Sequence, residues 1–308
     1  MRYFTRNNTL FLRGKFRAAS TGVGGGISDV TTIFNHTVPS GFCHESPIEY
    51  IKQILADNQF TAEEQGNEQF FGMLTAVPIK NLCVFSYGFI TVFITAGVTN
   101  PNPKGPNTIN IIVHSREGLL EGALLEMIIT ATEAKAHALF EMGYNFTGTT
   151  TDEVVVAYNS DSEIVHEYAG TFTEAGKRVY ECVSFGVPHA IRRYENLEEG
   201  MTSFFVYSTL RGNEWVEWDK ENCPYYPCHF NGQKCDLCYC PFYPCSDESL
   251  GDWVDSSDGK KVWGCTRCHL NHHPEVITFL SKNPEATLRE TIEFAREKGL
   301  KLAPNSTE

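Results

Sequence analysis

The chain lacks any apolar run long enough to cross a bilayer, and its opening, MRYFTRNNTLFLRG, lacks the continuous apolar core of a secretory signal. No membrane role is expected, the cytoplasm is the expected compartment, and Asn-x-Ser/Thr matches such as Asn7-Asn8-Thr9 carry no meaning there. Basic residues are also in short supply, with 25 Lys and Arg against 38 Asp and Glu and a net charge of −13. A surface this negative repels phosphate backbones, so nucleic acid is not the expected partner. Cysteine is sparse through the first two-thirds, where Cys43, Cys83 and Cys182 stand alone, and the rest of the 11 fall between Cys223 and Cys268. That shift marks a boundary in the segment 198–221. It divides the chain into an N-terminal domain over 1–200 and a cysteine-rich one over 201–308, and 42% hydrophobic content supports a full core.

Two nucleotide-binding signatures are missing as well. Ser20-Thr21-Gly22-Val23-Gly24-Gly25-Gly26 is glycine-rich, but Ile27 stands where a dinucleotide fingerprint needs its third glycine. A strand-like Thr-Thr-Ile-Phe follows it instead of a helix, and no Lys-Ser/Thr pair closes a phosphate loop. What remains is a turn whose backbone N–H groups can approach a ligand, or one that merely bends the chain.

The most informative stretch runs from Asn107 to Ala157. Thr108 to Val113 reads as a buried strand, and apolar residues spaced three and four apart predict one helix over Glu117–Met142. Glu126, Thr130, Glu133 and His137 form its narrow polar stripe, and Lys135 lies at the edge of the apolar face, where it is expected to snorkel to solvent. Thr147-Gly148-Thr149-Thr150-Thr151-Asp152 then leads into a second buried strand, Val154 to Ala157. Elsewhere, Ser46 to Asn58 reads as a helix. Phe70–Val77 and Leu82–Thr95 read as strands. A further helix is expected from about Thr173 to Tyr194, kinked or interrupted at Pro188. Mixed strands and helices without sustained βαβ regularity point to a layered α/β (mixed α+β) domain.

Several of these segments together resemble the adenosylcobinamide amidohydrolase family of corrinoid salvage. They are the glycine turn, Gly72-Met73-Leu74-Thr75-Ala76, Thr95-Ala96-Gly97-Val98-Thr99-Asn100, Thr108 to Val113, Ala131-Thr132-Glu133-Ala134-Lys135, Thr147 to Asp152, and Tyr168-Ala169-Gly170. The glycine turn departs from the family pattern in being richer in glycine. The resemblance covers roughly residues 10 to 200 and implies hydrolysis of the secondary amide of adenosylcobinamide, giving adenosylcobyric acid and 1-aminopropan-2-ol. The other reading is a non-catalytic, metal-stapled corrinoid-binding or adaptor protein.

Amide hydrolysis needs an activated nucleophile, donors for the developing oxyanion and an acid for the leaving amine. Asp152 and Glu133 are the expected base or acid, and a hydroxyl of Thr149, Thr150, Thr151 or Ser20 is expected to attack or to position water. Gly24, Gly25 and Gly26 are the expected oxyanion donors, and Thr95, Asn100 and Thr149 the substrate contacts at two strand ends. No cofactor is assigned to the catalysis, and a homo-oligomer is left open.

The tail carries Cys223-Pro-Tyr-Tyr-Pro-Cys228 and its near repeat Cys240-Pro-Phe-Tyr-Pro-Cys245, with two knuckles, Cys235-x-x-Cys238 and Cys265-x-x-Cys268. Two knuckles supply a tetrahedron of thiolates, so up to two structural zinc ions are expected. The expected pairing is Cys235, Cys238, Cys265 and Cys268 in one site and Cys223, Cys228, Cys240 and Cys245 in the other. His229, His269, His272 and His273 are spare ligands. A minority option is an iron–sulfur cluster. The segment resembles a cysteine-rich small domain found fused to this amidohydrolase.

Overall fold

A computed structural model describes residues 1–39, 41–58, 69–98, 108–195, 203–208, 214–217, 227–234, 237, 240–255, 261–283 and 286–303. Asn100, Cys223, Cys235 and Cys238 lie outside the described residues. The chain forms two compact units, Tyr3–Trp218 and Asp219–Glu308.

In the first unit the elements run β1 (Arg2–Arg6), β2 (Thr9–Ser20), β3 (Gly26–Thr37), α1 (Pro47–Asp57), β4 (Phe70–Thr75), β5 (Cys83–Tyr87), β6 (Ile90–Gly97), β7 (Thr108–Ser115) and β8 (Gly118–Leu119). They continue α2 (Glu121–Glu141), β9 (Glu153–Asn159), β10 (Val165–His166), α3 (Glu174–Glu195), β11 (Ser203–Ser208) and β12 (Glu214–Glu217). One sheet follows the order β12-β11-β5-β6-β7-β9-β2-β3-β4, with β1 pairing β2. Both β6 and β7 are buried along their whole length, which is why they read as near-continuous apolar runs.

The sheet bends back on itself. Strands β3 and β7 are separated by β9 and β2, three strand spacings or about 14 Å in a flat sheet. Yet the side chains of Asn35 on β3 and Asn110 on β7 are hydrogen-bonded at 3.0 Å. The enclosed face packs Phe93, Ile112, Val155 and Ala157 against Leu10, Leu12, Ile33 and Met73. Outside the fold, Ile94, Ile111, Val113 and Val156 are covered by α2 and α3, through Leu124, Ala131, Val183 and Val187 among others. On the other outer face, α1 packs Ile51, Ile54 and Leu55 on Phe11 and Phe34. A helix layer, a bent sheet and a single opposing helix make up the expected layered α/β unit.

Two helices differ from expectation. Helix α2 begins at Glu121 rather than Glu117, because Gly118 and Leu119 pair in parallel with Val165 and His166 first. Helix α3 runs unbroken through Pro188, held by the buried Val183, Val187, Ala190 and Ile191 on either side of it. The compact unit runs to Trp218, since β11 adds in parallel to the β5 edge and β12 pairs back onto it.

In the second unit, β13 (Asp252–Asp255) and β14 (Lys261–Gly264) form a hairpin, followed by α4 (Pro274–Lys282) and α5 (Leu288–Glu297). Thr287 and Glu290 close a reciprocal capping box at the start of α5, satisfying two of its free N–H groups. The small core gathers Leu250, Leu270, Val276, Leu280, Ile292 and Ala295 around Cys268. Phe279 of α4 stacks on Phe294 of α5 with centroids 4.3 Å apart.

Close packing around Gly72 gives a test of this layering. A Cβ there would come within 2.5 Å of the Phe34 ring and 2.8 Å of Ile51 Cγ2. Gly72→Ala should cost about 1–3 kcal/mol through overpacking, which is roughly 2–4 °C of melting temperature per kcal/mol for a unit this size. Differential scanning calorimetry checks it, and an unchanged transition would contradict the packing of α1 on the sheet.

Candidate active site

Strand alternation assigns each polar residue to a face. On β6, Thr95 shares the enclosed face with Phe93; on β7, Asn110 shares it with Ile112; on β9, Glu153 shares it with Val155; on β2, Ser20 shares it with Ala18. Register lines these up: Thr95 is opposite Asn110, and Asn110 is opposite Glu153. Continuing the β2–β9 ladder past Ser20 and Val155 sets Gly22 opposite Glu153. A polar row therefore crosses the enclosed face and ends at the glycine turn.

Inside the row the hydrogen bonds are chained. Asn35 Nδ2 donates to Thr95 Oγ1 (2.9 Å), and Asn110 Nδ2 donates to Asn35 Oδ1 and to the Leu74 carbonyl (both 3.0 Å). Thr108 Oγ1 is placed 2.8 Å from Asn110 Oδ1 and 3.0 Å from the Thr151 carbonyl. Thr95, Thr108, Asn35 and Asn110 are all buried. Fully satisfied networks of this kind fix side-chain positions, whereas a missing member strands its partners at a cost of about 1–3 kcal/mol.

Asp152 faces the other way, toward the helix layer, alongside Val154 and Val156. Its carboxylate accepts from Lys135 Nζ at 2.5 Å, Thr149 Oγ1 at 2.6 Å, Ile109 N at 2.8 Å and Thr149 N at 3.0 Å. The two charged side chains are only 7% and 8% exposed. Lys135 thus does not snorkel; it turns inward because a carboxylate already held by two backbone N–H groups needs a buried counter-charge. Thr149 serves this carboxylate, and Thr151, exposed at its side chain, contributes its carbonyl to Thr108. Both oxygens of Asp152 are spoken for.

Glu133 is exposed on the outer side of α2, away from the buried Ala131, Ala134 and Ala138 that face the sheet. Two other members of the expected stripe are drawn to the loop before α3. Thr130 donates to the Ala169 carbonyl at 2.8 Å, and Glu126 accepts from Ala169 N at 2.7 Å.

The residue that sequence reasoning passes over is Glu153. Leu74 N donates to its Oε2 at 3.2 Å, and the Val23 N–H also favours its charged form. Burial outweighs these donors and raises the carboxyl from its ordinary 4.5 to about 7. A usable signal lay in the alternation from Val155 and Ala157, which puts Glu153 and not Asp152 on their face.

Beside Glu153, the turn is built by its glycines. Gly24 and Gly26 have φ of +68° and +135°, and a Cβ on Gly25 would lie 2.3 Å from the Ser20 carbonyl. Gly22 N donates to Ser20 Oγ (3.0 Å) and Gly25 N to the Gly22 carbonyl (2.9 Å), so the Gly25 amide is committed within the turn. Next to it is a cleft of about 270 Å³, lined by Gly24–Gly26, Ile27, Ser28, Val30 and Gln69–Phe71. Ser20 is buried, and Thr95 is fully enclosed at the far end of the row.

In the second unit, burial and then the neighbouring thiols of Cys268, Cys265 and Cys245 push the Cys240 thiol up to about 12. Burial, followed by Cys265 and Cys245, raises Cys268 to about 11. Cys240, Cys245, Cys265 and Cys268 thus lie near enough to influence one another, while Cys223, Cys235 and Cys238 of the expected pairing lie outside the described residues. Among the described residues, no three Cys, His, Asp or Glu side chains converge closely enough to hold a metal ion. His229 lies 4.1 Å from His272 and 5.5 Å from His269 between ring centroids, and Gln233 Nε2 donates to Cys228 Sγ at 3.3 Å.

The sequence model of a family described as adenosylcobinamide amidohydrolase matches residues 3–199, and that of a cysteine-rich small domain matches residues 214–295. The chain is 43% identical over 198 residues to the adenosylcobinamide amidohydrolase of Methanosarcina mazei, covering 61% of this chain and 96% of that protein. It is 30% identical over 182 residues to the protein of the same name from Halobacterium salinarum, covering 54% and 76%. An uncharacterised protein of Methanocaldococcus jannaschii is 47% identical over 88 residues, covering 27% of this chain and 68% of that one.

The buried pair has a measurable consequence. Lys135→Met leaves the Asp152 carboxylate enclosed without a counter-charge and should cost about 3–5 kcal/mol. Glu133→Gln, on the exposed side of the same helix, should change stability by no more than about 0.5 kcal/mol. Urea unfolding at pH 7 distinguishes them, and equal midpoints for the two variants would contradict the burial of the pair.

Proposed function

The chain belongs to the adenosylcobinamide amidohydrolase family, and on that footing we propose that it hydrolyses the secondary amide of adenosylcobinamide. The products are adenosylcobyric acid and 1-aminopropan-2-ol, and the reaction returns salvaged corrinoid to cobamide synthesis. The observation that carries the location of the site is the polar row ending at Gly22 beside an open cleft. A cleft of about 270 Å³ is large enough for a short amide arm and leaves the macrocycle outside. The exposed Gly24, Gly25 and Gly26 line the approach, and the enclosed part of the row holds that end of the sheet in one geometry. Asp152 and Lys135 brace the strand ends from behind.

For the tail we infer structural metal binding. Thiols are a donor set suited to zinc, and Cys240, Cys245, Cys265 and Cys268, near enough to raise one another, are the first set we assign. Cys228 and the remaining cysteines supply a second set. Four thiolates close zinc's coordination sphere, so hydrolysis stays with the first unit. The cytoplasm, where thiols stay reduced, fits both parts.

Activity and metal measurements test this reading. Purified protein incubated with adenosylcobinamide should release adenosylcobyric acid and 1-aminopropan-2-ol in equal amounts by chromatography; absence of both would end it. A chain ending at Trp218 should keep this turnover. The full chain should carry zinc by elemental analysis. Stripping that zinc should unfold the tail, since structural zinc supplies about 10–16 kcal/mol of apparent binding energy in small peptides.

A further inference from the structure

We propose that Glu153 is the general base of the hydrolysis, taking a proton from the water that attacks the substrate's amide carbon. This rests on the reading of the site given above. Water loses a proton to the Glu153 carboxylate as its oxygen bonds to the carbon. The tetrahedral intermediate then collapses, the C–N bond breaks, and the same proton passes to the departing nitrogen. One water is consumed, one carboxylic acid and one amine are formed, and Glu153 ends as it began.

Geometry separates Glu153 from the carboxylate next to it in sequence. Asp152 is ion-paired and hydrogen-bonded at both oxygens. Glu153 lies on the opposite face, with no cation among the described residues to neutralise it. Its contacts come from the backbone N–H of Leu74 and of Val23, which orient the carboxylate without supplying a proton of their own. Glu153 is half-buried, and the backbone of the glycine turn, not a side chain, stands in front of it. Gly22 stands opposite, and a Cβ there would be 3.3 Å from both the carboxyl carbon and Oε1. Ser20 lies one diagonal step away on the same face, with no side chain at position 22 between them. The groups facing Glu153 are neutral on each element packed against it: Ser20 and Val23 from β2 and its turn, Leu74 from β4, and Asn110 from β7. The neighbouring Asp152 and its partner Lys135 point to the helix layer and satisfy each other. Burial is thus the dominant influence on this carboxyl, and it brings the group close to neutrality, where a general base works best.

A structural tether between the turn and β4 is the rival account, and pH separates the two. A carboxyl raised from 4.5 to about 7 keeps, in the folded state, a proton that the unfolded chain has already released. Its contribution to stability is therefore lost as pH rises between about 4.5 and 7. Glu153→Gln abolishes that fall and should be no less stable than the parent at pH 8. The parent's kcat/KM for adenosylcobinamide should rise through an inflection near 7. In Glu153→Gln the inflection should vanish, and kcat should drop by about a hundredfold or more, with KM little changed. Glu153→Asp keeps the carboxylate but draws it back, so it should retain an inflection at reduced kcat. Turnover by Glu153→Gln within about tenfold of the parent, a persisting inflection, or parental kcat in Glu153→Asp overturns the proposal while leaving the function standing. Absence of turnover in the parent protein overturns both.

Discussion

The bend of the sheet hangs on a hydrogen bond between two asparagines that have no other place to go. Asn35 and Asn110 are 2% and 1% exposed, and side-chain amides buried without partners would oppose folding. Flat, the sheet would hold their strands about 14 Å apart; bent, it lets Asn110 donate to Asn35 while Asn35 donates to Thr95. The apolar residues of β2, β3, β7 and β9 then meet across the enclosed face. That face consequently has two ends of different character, apolar where Phe93 and Ile112 pack and polar where the asparagines sit. Non-directional burial explains why the sheet closes, and the amide pair explains why it closes in this register.

Consecutive carboxylates at the start of β9 show how far one residue's shift alters chemistry. Asp152 and Glu153 differ by a methylene and by the face they point to. On the helix side, Asp152 meets Lys135, and its charge is consumed in holding Thr149 and Ile109 in place. On the enclosed side, Glu153 meets only backbone donors, and desolvation governs it. Two carboxylates adjacent in sequence thereby become a brace and a reactive group. Burial of the second is how a site obtains a base active near neutrality from a residue that would ordinarily be spent well below it.

Much of this was legible in the chain itself. The strand, helix, polar turn and strand from Thr108 to Ala157 stand where periodicity puts them, and the seven family-like segments include most of the residues around the site. The glycine turn leads into a strand, as its neighbours indicate. What periodicity does not carry is which face of a strand becomes enclosed when both faces are apolar, as on β7 and β9, and that face decides between Asp152 and Glu153. Nor does a helical wheel tell a solvated stripe from one that meets another segment. Glu126 and Thr130 bind the Ala169 backbone, and Glu133, one turn on, remains in water. Cysteine spacing identifies knuckles but not which knuckles meet, because any two turns carrying thiols complete a tetrahedron equally well.

The glycine richness of the turn is explained by its position. A side chain at position 22 would press on the Glu153 carboxyl, and one at position 25 would strike the Ser20 carbonyl. Positions 24 and 26 adopt backbone angles that other residues resist. Four glycines within five residues lose much conformational freedom on folding, so such a turn is an expensive way merely to reverse a chain; Asn-Gly or Asp-Gly does that with less. The expense becomes intelligible when the turn must run close to a buried carboxyl and still leave an opening beside it. The glycines therefore lie where the backbone is most closely constrained by the carboxylate facing it.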